Sequence, residues 1–279
     1  MLTTRLSRLA TDVLIYGLLA ATSLFMLIPF LWMLTTSLKP PDEIFGFPPI
    51  LISSHSSLRA YQYIVERYGV VRSLWNTLIV SAAATTVQLV FCSLGGYGFA
   101  KYQFPGKKAL FSFLLAMMVV PFAILMVPLY LIMRDLHWID TYWPLFVPFA
   151  ANSFGIFFMR QYISTISDEL LDAARIDGAG EFSIYARIVF PIIVPGLTSL
   201  GLIIFMGTWN SFLWPLIVLK SPSNFTIPVT ISSLTGQVGR TVWNEYMATA
   251  VISILPLLII FLIFQRRYFE GITAGAVRG

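Results

Sequence analysis

The chain has 279 residues, 57% hydrophobic and 15% aromatic but only 11% charged, and carries a net charge of +5. Its mean hydropathy is +0.80, whereas a soluble domain carries about 25% charged residues. These values argue against a soluble enzyme, a disordered segment and, despite the basic balance, a nucleic-acid-binding module. One cysteine, Cys92, leaves no partner for an internal disulfide and no multi-cysteine metal site.

A charge at the centre of a bilayer is costly, so uncharged runs mark the candidate spans. Six occur: 13–38, 73–100, 109–133, 141–159, 188–219 and 246–265. Each approaches or exceeds the ~20 residues that a helix needs to cross about 30 Å of hydrocarbon. The period-2 alternation of a membrane β-barrel is absent. The expectation is an all-α membrane protein with six transmembrane helices. With the N-terminus inside, the cytoplasmic segments hold Arg5, Arg8, Lys101, Lys107, Lys108, Arg160, Arg175, Arg187, Arg266, Arg267 and Arg278. The outer segments hold Lys39, Arg59, Arg67, Arg72, Arg134, Lys220 and Arg240. That asymmetry places both termini in the cytoplasm.

In chain order, Arg5 and Arg8 precede the first run as in a signal peptide. Its apolar core outlasts the ~7–15 residues of a signal h-region, so it reads as an uncleaved first helix, and residues 1–72 as that helix plus an outer loop. His55 and, further on, His137 stand in outer loops without metal-ligand spacing. The cluster Gly95-Gly96-Tyr97-Gly98 in the second run lacks the spacing of a phosphate loop. It reads instead as a bend or a close helix approach. The uncharged polar and aromatic groups Asn76, Gln88, Asn152, Trp209, Asn210, Ser211 and Trp214 have two readings. One is interhelical hydrogen bonding; the other is a pathway lining for a hydroxyl-rich solute. The spans carry no ionisable relay group, which weighs against an ion-driven pump.

The segment between the fourth and fifth runs is acidic, with Asp168, Glu169, Asp172, Asp177 and Glu181. A helix that lies on anionic lipid would be basic. Ser167 is placed to cap a helix whose first turn holds Asp168 and Glu169, and Asp172 stands at i,i+3 from Arg175. Gly178 and Gly180 are placed to end it. A second amphipathic stretch, Glu181 to Phe190, is expected to carry Phe182, Tyr185, Ile188 and Val189 on one side, and Pro191 restricts the residue before it and marks the entry to the fifth span. Ala173 and Ala174 offer a small, flat face suited to a partner's groove; an ordinary solvated linker is the alternative.

The run Asp172-Ala173-Ala174, then Asp177-Gly178-Ala179, then Ile188 and Pro191, resembles the EAA loop of permease subunits of bacterial ABC importers. Two positions depart: Asp172 stands where the pattern has Glu, and Phe190 where it has Leu. Ser37-Leu38-Lys39-Pro40, Ile139-Asp140-Thr141-Tyr142-Trp143, Trp209-Asn210 and the ending from Gln265 to Gly279 resemble the smaller subunit of the carbohydrate (maltose-type) group.

That resemblance implies a type I ABC importer permease architecture in a bacterial cytoplasmic membrane. The transmembrane core would span 73–266, a coupling loop would lie at about 166–191, and a cytoplasmic tail would occupy 267–279. It implies a second homologous permease subunit, two ATPase subunits that use ATP and Mg, an extracytoplasmic solute-binding protein, and a sugar as cargo. No cofactor or metal is expected on this chain, no catalytic role and no nucleic acid. Asp172, Ala173, Ala174, Asp177, Gly178, Ile188 and Pro191 would couple to the ATPase, and Gly275, Ala276 and Val277 in the tail would contact it. The glycines of the tail disfavour helix, so an extended strip is expected there. The pathway candidates are Asn76, Gln88, Trp209, Asn210 and Trp214. A polyol or glycerol phosphate importer and a self-sufficient secondary transporter are the alternatives.

Overall fold

A computed structural model describes the backbone of residues 2–48, 50–235 and 242–276, and the side chains of 11–48, 50–234 and 242–265. Helix α1 runs over Leu2–Leu38 and α2 over Arg59–Tyr68, with a 3-10 turn at Pro41–Glu43 between them. Then come α3 (Val70–Lys101), α4 (Lys107–Met117), α5 (Phe122–Asp135), α6 (Trp143–Phe146), α7 (Ser153–Ile163), α8 (Asp168–Ile176) and α9 (Glu181–Ile184). Helices α10 (Phe190–Trp209), α11 (Leu213–Val218), α12 (Ile227–Thr235) and α13 (Trp243–Ala276) complete the order.

Six uninterrupted spans are not what the chain forms. Among the described residues, four helices are long and apolar enough to cross a membrane: Thr11–Leu38, Val70–Lys101, Glu181–Trp209 and Trp243–Gln265. A fifth crossing is available if α4 and α5, bent by 100° at their junction, count as one broken span. The bend falls at Pro121, which has an extended backbone and cannot continue a helix from α4. The run 141–159 is the main departure. Pro144 and Pro148 interrupt it, so it becomes the four-residue α6, a 3-10 turn at Val147–Phe149 and a fresh start at Asn152.

The tail also differs from expectation. Helix α13 continues past Gly271 and Gly275 to Ala276, and Val277 lies outside the described residues. Extending an established helix adds one hydrogen bond per residue without a new nucleus. That gain offsets the ~1 kcal/mol cost of each glycine.

The chain divides into two compact units, Met1–Val70 with Ile231–Leu255, and Val71–Thr230 with Pro256–Gly279. In the first, α1 exposes its apolar side chains from Val13 to Leu34. Its end is tied down by Ser37 Oγ, 2.8 Å from Tyr61 Oη, and by Asn244, whose Nδ2 donates to the Lys39 carbonyl at 3.2 Å. His55 is not alone in its loop: its Nδ1 lies 3.0 Å from Glu43 Oε1.

In the second unit, α3, α7 and α10 share a core that includes Cys92, Ile156, Met159, Ile163, Ile193 and Leu200. Small residues set the distances, as in membrane helix packing generally. A Cβ on Gly96 would lie 2.6 Å from that of Met159, and one on Gly196 would lie 2.8 Å from the Tyr162 ring.

Candidate functional site

A cavity of about 330 Å³ opens in the second unit among α3, α5, the interrupted 143–154 stretch, α10 and α11. Its polar lining is Gln88, Asn152, Thr208 and Ser211; its aromatic lining is Phe122, Phe149, Phe154 and Trp214; among the described residues, no charged side chain lines it. Trp214 is buried and donates from Nε1 to the Pro144 carbonyl at 2.9 Å, which fixes its ring. Phe122 then stands edge-on to Trp214 at 5.8 Å and to Phe149 at 5.5 Å. Asn152 caps α7 by accepting from the Gly155 amide at 3.0 Å. The broken backbone is thus what brings Asn152 to the cavity, and irregular backbone inside a membrane protein is tolerated where it lines a cavity. A second cleft of about 560 Å³, formed at the α4–α5 bend, shares Phe122, Phe149, Asn152 and Phe154 with the first.

Two of the five pathway candidates, Gln88 and Trp214, meet at this cavity. Asn76 does not reach it, because its amide donates to the carbonyls of Ser223 and Phe225 at 2.9 Å each. Trp209 is buried against Phe205, 5.6 Å away and stacked. Asn210 is exposed and donates back to the Met206 carbonyl at 2.8 Å. Asn152, Thr208 and Ser211 complete the polar lining. Asn152 and Ser211 stood out in the sequence only as uncharged polar groups, and Thr208 carried no signal.

Outside the cavity, the 166–191 loop has the helix–turn–helix form. Ser167 Oγ accepts from the Glu169 amide at 3.2 Å. Helix α8 ends in a Schellman turn: the Ala179 amide donates to the Ala174 carbonyl and the Gly178 amide to that of Arg175, both at 3.0 Å. Gly178 has φ +82°, a left-handed conformation open to glycine without strain. Leu171 is fully buried with Ile184 and Ile163, which contributes about 1.5–3 kcal/mol to holding the loop in place. Asp172, Ala173, Asp177 and Gly178 are exposed, and Ala174 is half-buried.

The second half of the loop differs from expectation. Helix α9, a π-helical turn at Tyr185–Val189 and α10 form one continuous helical segment. Pro191 therefore lies inside it and is no boundary. A proline has no N–H for the carbonyl four residues back and crowds it. Widening the turn around Arg187 to i→i+5 spacing relieves that contact. The wider turn also changes which side chains face inward: Ile184 and Val189 are buried, Tyr185 and Ile188 are partly buried, and Phe182 is 80% exposed.

Polar contacts hold the loop to the end of α3. Lys101 Nζ donates to Asp168 Oδ1 at 2.6 Å and to the Ile166 carbonyl. The first of these, reinforced by the ammonium charge, holds the Asp168 carboxyl below its usual range. Arg175 donates to Asp172 at 2.7 Å and to Glu181 at 2.8 Å. Glu181 also accepts from Tyr102 and, at 3.4 Å, from Tyr97, and Ser93 Oγ lies 2.7 Å from Tyr185 Oη. Only the Asp172–Arg175 pair was legible in sequence, because it is local.

A further carboxylate, Asp140, binds the turn after α5 to the turn after α11. It accepts from the Lys220 and Ser221 amides at 2.9 Å each and from the Ser221 hydroxyl, and Asn224 donates to it as well. Partial burial alone would raise its pKa; these donors, led by Ser221, outweigh burial and hold it at about 2. Among the described residues, no three His, Cys, Asp or Glu side chains converge as metal ligands would.

Helices long enough to cross a membrane several times, a largely apolar cavity between them with a few uncharged polar groups, and an acidic helical turn outside it define a multi-pass membrane permease. The chain belongs to the family described as binding-protein-dependent transport system inner membrane component, whose model matches residues 92–273. It is therefore a multi-pass inner-membrane subunit of a transport system and not an enzyme. It is 36% identical over 261 residues to the arabinooligosaccharides transport system permease protein AraQ of Bacillus subtilis, with 92% of each chain covered. It is 30% identical to the lactose transport system permease protein LacG of Rhizobium radiobacter, with 99% of each covered. A chain of a bacterial ABC transporter that imports the acidic polysaccharide alginate has the same fold, with a TM-score of 0.78 at 22% identity over 91% of this chain and 97% of that one. Both relatives are named for sugars other than maltose, so the maltose-type resemblance widens to carbohydrate-importer permeases in general.

Proposed function

We propose that this chain forms part of the membrane pathway of an ATP-driven, binding-protein-dependent importer and moves a neutral oligosaccharide inward by alternating access. The lining of the cavity carries the reading. Gln88, Asn152, Thr208 and Ser211 can hydrogen-bond hydroxyls while Phe122 and Trp214 offer flat apolar faces, the mixture that a sugar site needs. A phosphorylated polyol would need a cation to pair its charge, and among the described residues none lines the cavity. The names of the arabinooligosaccharide and lactose relatives support the same cargo class.

In this reading the 166–191 loop docks on the ATPase through Asp172, Ala173, Ala174, Asp177 and Gly178, while Ile188 and Pro191 join it to α10. The tail with Gly275, Ala276 and Val277 also meets the ATPase. ATP and Mg are used by two ATPase subunits, and a second permease subunit covers the exposed apolar length of α1. Closure of the ATPase pair shifts the population between two helix packings. Residues 1–72, 73–266 and 267–279 act as anchor with outer loop, transport core and tail. Cytoplasmic placement of both termini requires an even number of crossings, which the bent α4–α5 pair and the broken 143–163 stretch would together supply.

The test is the pathway itself. In proteoliposomes holding the whole importer, Gln88→Leu and Ser211→Ala should each raise the KM for sugar uptake several-fold while ATP hydrolysis persists. Unchanged uptake in both variants would remove this cavity from the pathway.

A further inference from the structure

The polar contacts around Glu181 give a role to an acid of the loop that the family resemblance left unassigned. Glu181 sits at the start of α9 and holds three elements at once. Arg175, in the last turn of α8, donates to it at 2.8 Å and 3.4 Å; Tyr102, the residue after α3, donates to it; and Tyr97, on α3, does so at 3.4 Å. The Tyr97 and Tyr102 rings stand edge to face at 5.4 Å, so both hydroxyls converge on one carboxylate. The Lys101–Asp168 pair fastens the first turn of α8 to the same end of α3, so α8 is held to α3 at both ends.

The geometry points to Glu181 as a positioning residue that makes α8, α9 and the end of α3 move as one body. A push on α8 is then delivered to α3 as well as along the continuous helical segment Glu181–Trp209. Helix α3 carries Gln88, on the cavity wall, so the stroke reaches the pathway from two sides. This rests on the reading of 166–191 as the ATPase-coupling loop. Within it, Glu181 touches neither the ATPase nor the solute; it acts by keeping two helices in register.

The experiment uses the whole importer in proteoliposomes, with sugar uptake and ATP hydrolysis measured on the same sample. Glu181→Ala should lower uptake per ATP about five-fold or more, the scale of a coupling free energy of 1–3 kcal/mol, with the complex still assembled. Tyr102→Phe should give a smaller loss in the same direction, and the double variant should lose no more than Glu181→Ala alone, as expected of one network. Spin labels at Gln103→Cys and Glu169→Cys report the joint directly, because the native Cys92 is buried. Their distance should stay narrow and equal with and without ATP, and should broaden on adding Glu181→Ala.

An unchanged uptake-to-ATP ratio in Glu181→Ala, or a label distance that shifts with ATP in the unmutated joint, would overturn the assignment. Gly178→Val separates the two levels. If it uncouples while Glu181→Ala does not, the coupling loop stands and the role of Glu181 falls; if neither changes the ratio, both fall together.

Discussion

The Asp140 turn and the 166–191 loop are both closed by carboxylates, yet they are built for opposite ends. Asp140 is held by backbone amides and by short side chains whose positions the chain itself dictates. Its partners cannot leave without unfolding the turn. The 166–191 loop is held by side chains at its surface, Arg175, Glu181 and Asp168, the last of them paired with the buried Lys101 side chain, around a small apolar base at Leu171 and Ile184. It also leaves Ile176 and Phe182 more than three-quarters exposed, which an isolated surface loop gains nothing by doing. The first turn is a fixed brace; the second is a firm but open element with a face left for something else.

The largest difference should appear on removing each carboxylate. Asp140→Ala strands the Lys220 and Ser221 amides and should lower unfolding stability by about 2–3 kcal/mol, given that hydrogen bonds to charged groups contribute roughly 1.5–3 kcal/mol each. Thermal unfolding in detergent measures it. The pH profile sharpens the point. The folded pKa of Asp140, about 2, lies below the ordinary 3.8, so its contribution is complete above pH ~4 and is lost as pH falls toward 2. Asp140→Asn should flatten that acid limb, and an unchanged limb would mean that Asp140 does not brace the turn.

Gly178→Val comes next. Its Cβ would meet nothing within 4 Å, so the cost is the left-handed backbone alone, about 1–2 kcal/mol for an L side chain. Insertion and expression should survive, while sugar uptake per ATP falls. Normal uptake at normal expression would detach the loop from coupling. The smallest effect belongs to Asp172→Ala. Its pair with Arg175 is exposed and stands at i,i+3, and such pairs contribute little to stability in water. Stability should hardly move, so any marked loss of transport in this variant reports a contact with a partner.

The same contrast explains what could be read from sequence. Caps and turns were legible because they are local: Ser167, Gly178 and the Asp172–Arg175 pair follow from neighbours a few residues apart. The joints of Lys101 with Asp168 and of Tyr102 with Glu181 link positions far apart in the chain, and no pattern in either segment announces them. The charge gaps found the four long helices, but an uncharged run says only that a segment suits lipid. Pro144 and Pro148 broke the fourth run despite its hydropathy. The cavity was half visible for a related reason. A helix that is apolar all round has no periodic stripe to show which side faces inward, so Gln88 and Trp214 could not be told from Asn76, Trp209 and Asn210.

The central claim is that this chain moves solute only as the permease of an ATP-driven assembly. It is tested most directly by labelled oligosaccharide uptake into proteoliposomes containing either this chain alone or the chain with its second permease subunit, ATPase and binding protein. Uptake is expected only in the complete assembly, and only with ATP and Mg. Accumulation by the lone chain on an ion gradient, indifferent to ATP, would contradict it.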